Sequence, residues 1–347
     1  MLTNAQIAEH LLRLMAEEDK PHRREALRRA ARSAVMRWPE EAAEIAEANR
    51  PLSELPSVGP WLARRILHLL QEDLEPPDPP DLRRGFLTLA EVRATLAEDP
   101  AWRGELQADL QMHTTYSDGK APLRTMVEAA ADLGYRYVAI TDHSKELKIA
   151  RGMDEEELAE QGEDVALVNA ELAAAGTDLQ VLHAIEMNLS PEGEGDMDPV
   201  ALAELDVVLG AFHSKLRVAE DQTERYLSAL RNPTVCVLAH PRGRRFDVRL
   251  GLSAEWPRVF EEAARLDKAM EIDAFPDRQD LNVELLELAR EAGCRISIGT
   301  DAHSVGELRY MEFGLAAAAR AAIPRGRILN FQPVEAVVEW SRAVRGL

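Results

Sequence analysis

The stretch Asp109-Leu110-Gln111-Met112-His113-Thr114-Thr115-Tyr116-Ser117-Asp118-Gly119 decides how this chain is read. As a short strand it sends Gln111 and His113 to one face, because side chains alternate along a strand. A turn closed by Gly119 then adds the carboxylate of Asp118. One such pairing arises by chance in many soluble proteins. Here the theme returns after further short apolar runs, in Thr141-Asp142-His143-Ser144, Ile185-Glu186-Met187-Asn188, Ala211-Phe212-His213-Ser214, Ala239-His240-Pro241 and Gly299-Thr300-Asp301-Ala302-His303-Ser304.

Around these stretches the chain alternates β-branched runs with helical patterns, the sign of repeated βα units. Strands are expected near 107–113, 136–141, 180–186, 206–211, 234–239, 269–273 and 295–300. Helices are expected near 122–133, 154–174, 198–204, 220–230, 254–266, 281–292 and 333–344. About seven repeats imply an α/β fold with a closed parallel barrel, while periodicity alone leaves an open sheet as the alternative. In such barrels the chemistry gathers at the C-terminal strand ends. The candidate metal ligands Gln111, His113, Asp118, His143, Glu186, His213, His240, Asp301 and His303 all fall there. A lone histidine at a strand end is ordinarily a core residue, but independent placement at six strand ends is not explained that way. Mixed imidazole and carboxylate donors suit Zn, Mn or Fe rather than an all-oxygen cage. The donors exceed what one ion takes, so two or three divalent transition-metal ions are expected.

The length of 347 residues suggests two domains. No apolar run is long enough for a membrane span, and Glu9, His10 and Arg13 leave the N-terminus without a signal-peptide core, so a cytoplasmic location is expected. The two cysteines, Cys236 and Cys294, lie in apolar runs and are expected as buried reduced thiols. A net charge of −20 argues against a protein that coats DNA. The charge is uneven, however: residues 1–85 carry 13 Lys and Arg against 15 Asp and Glu.

Within that near-neutral region, residues 3–48 read as helices, and Arg23, Arg24, Arg28, Arg29, Arg32 and Arg37 crowd into about four turns. They form either a solvated face or a phosphate-contacting surface, with Arg24, Arg28 and Arg32 as the candidate DNA contacts. The segment 55–66, Leu-Pro-Ser-Val-Gly-Pro-Trp-Leu-Ala-Arg-Arg-Ile, has the pattern of a helix-hairpin-helix, whose Gly59 would offer a backbone N–H to phosphate. A purely structural helical hairpin is the alternative. The Pro-rich stretch 71–85 marks the domain boundary. Expected domains are therefore 1–75, helical; 76–104, a linker and connecting helix; and 105–347, the barrel.

The strand-end set resembles the PHP (polymerase and histidinol phosphatase) superfamily over residues of about 105 to 330. Thr141–Gly152 and Ala239–Arg245 are similar to the PHP domain of bacterial family X DNA polymerases, and residues 21–31 and 55–66 are similar to the helical lyase-like domain of those enzymes. The resemblance implies a distorted (β/α)7 barrel and phosphoester hydrolysis by metal-activated water. It places the family's metal ligands on His113, Asp118, His143, Glu186, His213, His240, Asp301 and His303, with Asp118, His143, Glu186, His213 and Asp301 central to catalysis. The remaining ligand, usually histidine, is Gln111, a weaker donor. Basic residues just past strand ends, Lys145, Arg151, Lys215, Arg242, Arg244 and Arg245, are candidates for substrate phosphate, each weighed against a plain surface ion pair. The family's hairpin has glycine where Ser57 stands, and Pro60 removes one donor N–H.

The expected function is a phosphoesterase acting at DNA ends, as a 3′–5′ exonuclease or 3′-phosphatase. The alternatives are a phosphatase of small phosphorylated substrates, of the histidinol-phosphatase type, or a repair module without catalysis. No polymerase palm separates the two regions, and the position matching the lyase amine is Arg65, which stays protonated. Primer extension with dNTPs and Mg²⁺ is accordingly expected to yield no product; templated extension would contradict the domain reading.

Overall fold

Seven short strands lie parallel and side by side in chain order: β1 (Ala108–Met112), β2 (Tyr137–Ile140), β3 (Gln180–Asn188), β4 (Val207–Ala211), β5 (Val237–Ala239), β6 (Ala269–Asp273) and β7 (Arg295–Gly299). The structure, a computed structural model, describes residues 1–72 and 74–347. Helices Leu123–Asp132, Glu155–Ala175, Pro199–Ala203, Thr223–Arg231, Trp256–Arg265 and Val283–Ala292 form the connections, giving the expected α/β barrel of seven units. Strands covered on both faces need apolar side chains on both, and β1, β2, β4, β5 and β6 are buried along their whole length. Alternation sorts the two faces. Tyr137 and Ala139 of β2 join Leu110, Leu182, Leu209 and Val237 in a core with Val337 and Trp340 of the last helix, Val334–Arg345. Val138 and Ile140 pack outward on Met126, Val127 and Ala130.

The seam between β1 and β7 is closed by other means than a strand ladder. Beyond the end of β7 the backbone binds β1 directly, with the Asp301 N–H donating to the Gln111 carbonyl at 3.0 Å and the His113 N–H to the Ala302 carbonyl at 2.8 Å. Lower down, the fully buried Asn330 side chain spans the gap. It accepts from the Ile298 N–H at 2.8 Å and donates to the carbonyls of Ala108 (2.9 Å) and Ile298 (2.8 Å). Each polar group in that seam is inaccessible to water and must find a protein partner.

The chain divides into two compact units, Met1–Pro100 and Ala101–Leu347. In the first, helices Asn4–Glu17, Pro21–Met36 and Pro60–Gln71 contribute Ile7, Leu11, Leu27, Ala34 and Ile66 to a buried core. A capping box starts its first helix, with Thr3 and Gln6 satisfying each other's backbone N–H groups. The segment 76–104, expected as a linker with a connecting helix, falls mostly within this unit. Arg83 forms a largely shielded pair with Glu9 at 2.8 Å, and the helix Leu89–Glu98 buries Val92 and Leu96 completely. The hairpin at 55–66 also differs from two regular helices, since only a 3₁₀ turn, Leu52–Glu54, precedes Pro60–Gln71. Between them Ser57 adopts φ +66°, the left-handed conformation that glycine takes without steric cost.

A helix at Met311–Arg320 was not expected from sequence. Met311, Phe313, Leu315 and Ala316 to Ala318 are all buried, so its apolar residues surround the axis and leave no polar stripe to reveal a period. Cys236 and Cys294 are buried and unpaired. Among the described residues no helix is long and apolar enough to cross a membrane.

Replacing Asn330 with alanine strips one N–H and two carbonyls of buried partners, at a cost of about 3 kcal/mol. Thermal unfolding of the Asn330→Ala chain is expected about 6–12 °C below that of the parent. A loss of less than about a degree would show that the seam does not depend on this side chain.

Candidate metal centre

His113 leaves β1 just before a turn whose shape is set by a single carboxylate. Asp142 accepts from the Thr114 N–H (2.8 Å) and hydroxyl (2.7 Å), the Ser117 N–H (3.1 Å) and hydroxyl (2.5 Å), and the Gln161 amide (2.7 Å). Gly119 completes the turn because a Cβ there would lie 2.6 Å from backbone atoms of His113 and Thr114. Asp118 is thereby brought to His303 (Nε2 to Oδ1, 3.1 Å) and His143 (Nε2 to Oδ1, 3.6 Å).

Glu186, at the C-terminal end of β3 and fully buried, forms the middle of the site. Its Oε1 faces His240 Nε2 at 2.7 Å and His213 Nε2 at 3.0 Å, while Oε2 faces His113 Nε2 and His143 Nδ1, each at 3.3 Å. His113 also reaches Asp301 Oδ1 at 2.9 Å, and its ring stacks against both His143 and His303, with centroids 4.4 and 4.3 Å away. Asn188 meets His213 Nδ1 at 3.1 Å and orients that ring. Two members adopt backbone conformations costly for non-glycine residues, His240 at φ +26° and Asp301 at φ +51°. The His240 backbone is held there by Glu271, whose Oε2 accepts its N–H at 2.7 Å.

The electrostatics follow from this crowding. Burial alone would raise the Glu186 carboxyl, but His143, His240, His113 and His213 outweigh it and hold the group well below the usual range. Asp301 behaves likewise, its burial overcome first by Arg278 and then by His113 and His303. Burial drives His143 down to about 3. His240, although buried, is pushed up to about 9 by Glu186.

Three overlapping groups therefore have donor atoms close enough to share an ion: His113, Asp118, His143 and His303; His143, Glu186 and His213; and His113, Glu186 and Asp301. His240 adjoins the second through Glu186. The donor chemistry fits divalent transition metals, and so does the buried Oε2 of Glu186, which lies 3.3 Å from two ring nitrogens without a well-aligned hydrogen bond to either. The third group fits less well. Gln111, whose carbonyl accepts from the Asp301 N–H, has neither amide atom hydrogen-bonded among the described residues, and the other oxygen of Asp301 is taken by the guanidinium of Arg278.

Arg278 is the residue that sequence reading missed. It rises from the loop after β6, pairs with Asp273 (3.3 Å) and Asp301, and keeps a third of its side chain exposed. Nothing marks it in sequence beyond a basic residue following a strand end. The expected phosphate contacts divide. Lys145 pairs with Glu155 at 2.6 Å, Arg245 pairs with Asp277 at 3.1 Å, and Arg151 and Lys215 are exposed. Arg244 does not fit its expected role: it is 4% exposed, with Asp280 near its charge, and is enclosed by the loop it was expected to project from. In the first unit Arg24, Arg28 and Arg32 lie exposed on Pro21–Met36, Arg28 bonded to Glu25 at 2.7 Å, and Gly59 stands as the N-cap of Pro60–Gln71.

A parallel barrel that gathers imidazoles and carboxylates at its C-terminal rim is the build of a metal-dependent hydrolase. Residues 109–315 match the PHP domain, and the chain belongs to that family. It is 37% identical over 235 residues to the DNA polymerase/3'-5' exonuclease PolX of Bacillus subtilis, a match covering 67% of this chain and 40% of that protein. The chain thus spans well under two thirds of that relative. It is 27% identical over 233 residues to a probable phosphatase of Tolumonas auensis, covering 65% of this chain and 90% of the other. Among solved structures, histidinol phosphate phosphatase from Lactococcus lactis, complexed with Zn, L-histidinol and phosphate, aligns at 16% identity and a TM-score of 0.43, over 59% of this chain and 92% of that one.

Because both Glu186 oxygens face histidines whereas Asp118 serves one group, the two carboxylates should differ in consequence. Glu186→Gln is expected to lose most of the metal retained by the parent chain, and Asp118→Asn a smaller share, by elemental analysis of chelator-free protein. Equal retention in the parent and Glu186→Gln would contradict the geometry.

Proposed function

We propose that this chain is a metal-dependent phosphoesterase that hydrolyses phosphoester bonds at DNA ends, as a 3′–5′ exonuclease or 3′-phosphatase. The observation that carries the reading is Glu186, one buried carboxylate ringed by four imidazoles with Asp118 and Asp301 beside them. Two divalent ions, Mn, Zn or Fe, are the proposed complement, one held by Asp118, His143 and His303 and one by Glu186, His213 and His240. The position next to Gln111 and Arg278 is the weakest of the three, because an amide brings no charge and a guanidinium repels a cation. Bound ions would acidify a water and neutralise charge on phosphoryl oxygens. The chain's own part is to place donors rigidly. Asp142 sets the first turn, Glu271 supports His240, and Arg278 restrains Asp301 while offering its exposed edge toward an anion.

The choice of DNA ends is supported by 37% identity to a relative named for exonuclease activity and by the arginine-rich helix Pro21–Met36. A second reading, a small phosphorylated substrate, is favoured by the likeness to a probable phosphatase and by the net charge of −20. A third, a repair module without catalysis, would follow if Gln111 had emptied the centre.

A panel of 3′-recessed DNA, 3′-phosphate DNA, histidinol phosphate and bis(p-nitrophenyl) phosphate with added Mn²⁺ separates the three. Hydrolysis of the DNA substrates is expected, lowered about ten- to a hundredfold in Asp301→Ala, which removes the carboxylate that positions His113; histidinol phosphate as the preferred substrate would select the second reading, and inertness on all four the third. Deleting residues 1–100 is expected to raise KM for DNA while leaving bis(p-nitrophenyl) phosphate turnover nearly unchanged, because remote phosphate contacts contribute mainly uniform binding. With two or three arginines on phosphates, a log–log salt slope of about −2 to −3 belongs to the missing unit. An unchanged KM and salt slope in the truncated chain would remove the DNA-clamp role.

A further inference from the structure

The loop after β5 begins at His240 and folds back on itself, with the Arg245 and Arg249 backbones each donating to the other, at 2.8 and 3.0 Å. It is tied to the loop carrying Arg278 through the Phe246 N–H, which donates to the Asp277 carbonyl at 2.7 Å. Arg217, four residues beyond His213, reaches across to the same loop and donates to the Val248 carbonyl at 3.2 Å. Arg242 donates to the Leu250 carbonyl at 2.9 Å, and Arg249 donates to the Gly243 carbonyl. The loops after β4, β5 and β6, the first two of which carry His213 and His240, thus share a band of guanidiniums.

These arginines are not equivalent. Arg245 and Arg278 are neutralised by Asp277 and by Asp273 with Asp301. Among the described residues, Arg217, Arg242 and Arg249 have no carboxylate at ion-pair distance, although the chain carries 61 acidic residues against 41 basic ones. Arg249 pays for its position: burial first, and then the charges of Arg278, Arg217 and Arg245, lower its basicity. Uncompensated like charges repel, and an anion seated among them relieves that repulsion. Side by side with them the loop exposes Val248 (42%) and Leu250 (48%), apolar surface beside charge.

We propose that Arg217, Arg242 and Arg249, with Val248 and Leu250, form a subsite for the phosphate and nucleoside adjoining the one that is hydrolysed. The assignment rests on the phosphoesterase reading for the place of the scissile group, and it names how a chain of phosphates is told from a single phosphomonoester. Guanidinium forks suit phosphate oxygens geometrically, and exposed aliphatic side chains suit the sugar and base between phosphates.

The test uses the full chain as purified with Mn²⁺ and a 5′-fluorescein tetrathymidylate carrying phosphorothioate linkages, followed by fluorescence anisotropy. Arg217→Ala and Arg249→Ala are each expected to weaken binding about tenfold, as loss of a charge-assisted contact does, with Arg217→Lys retaining part of the affinity. Turnover of bis(p-nitrophenyl) phosphate, which has a single phosphate, is expected to stay within about twofold in both variants. Unchanged affinity in a chain carrying both Arg217→Ala and Arg249→Ala would overturn the subsite, and so would equal losses on both probes. If the parent chain hydrolyses no phosphoester while the arginine variants still lose the tetranucleotide, the subsite stands and the phosphoesterase reading falls.

Discussion

Everything at the rim of this barrel is arranged around the burial of one carboxylate, Glu186, among His113, His143, His213 and His240. A buried charge is tolerated only when it is paired, and here both oxygens are met by ring nitrogens. The pairing needs residues from the ends of β1, β2, β4 and β5 at once. A strand slipped by one residue would turn its ligand to the opposite face. Barrel register and site geometry are therefore one constraint, and the backbone strain at His240 and Asp301 is held in place by the surrounding structure.

Closure of the barrel serves the same constraint. Asp301 enters the site on backbone bonded directly to β1, and Asp109 strengthens that join by accepting from the Thr300 N–H at 3.1 Å and hydroxyl at 2.5 Å. Burial pushes the Asp109 carboxyl up to about 7 despite those bonds. Below it Asn330 satisfies backbone groups that no strand ladder reaches. The seam thus places His113 and Asp301 2.9 Å apart, residues separated by 188 positions in the chain.

What could be read from sequence follows the same physics. The strand ends were legible because each pairs an apolar run with a polar donor, and alternation of βα units orders them into a barrel. Tertiary partners were not legible. Asp142 stands in the Thr-Asp-His-Ser stretch without a role of its own in sequence, yet it organises a turn; Asn330 lies in a short 3₁₀ segment without a motif; and Arg278 acquires meaning only when folding brings Asp273 and Asp301 to it. Arg244 misled for the converse reason, since a charge past a strand end suggests exposure and this one is enclosed. The helix Met311–Arg320 escaped because complete burial erases the amphipathic period on which helix reading depends.

The central claim is that these side chains hold divalent ions at defined positions. Anomalous diffraction at the manganese edge, from crystals of the full chain grown with MnCl₂, tests it directly. The account predicts one peak among Asp118, His143 and His303 and another among Glu186, His213 and His240. Well-ordered crystals with no anomalous peak at either position would contradict it.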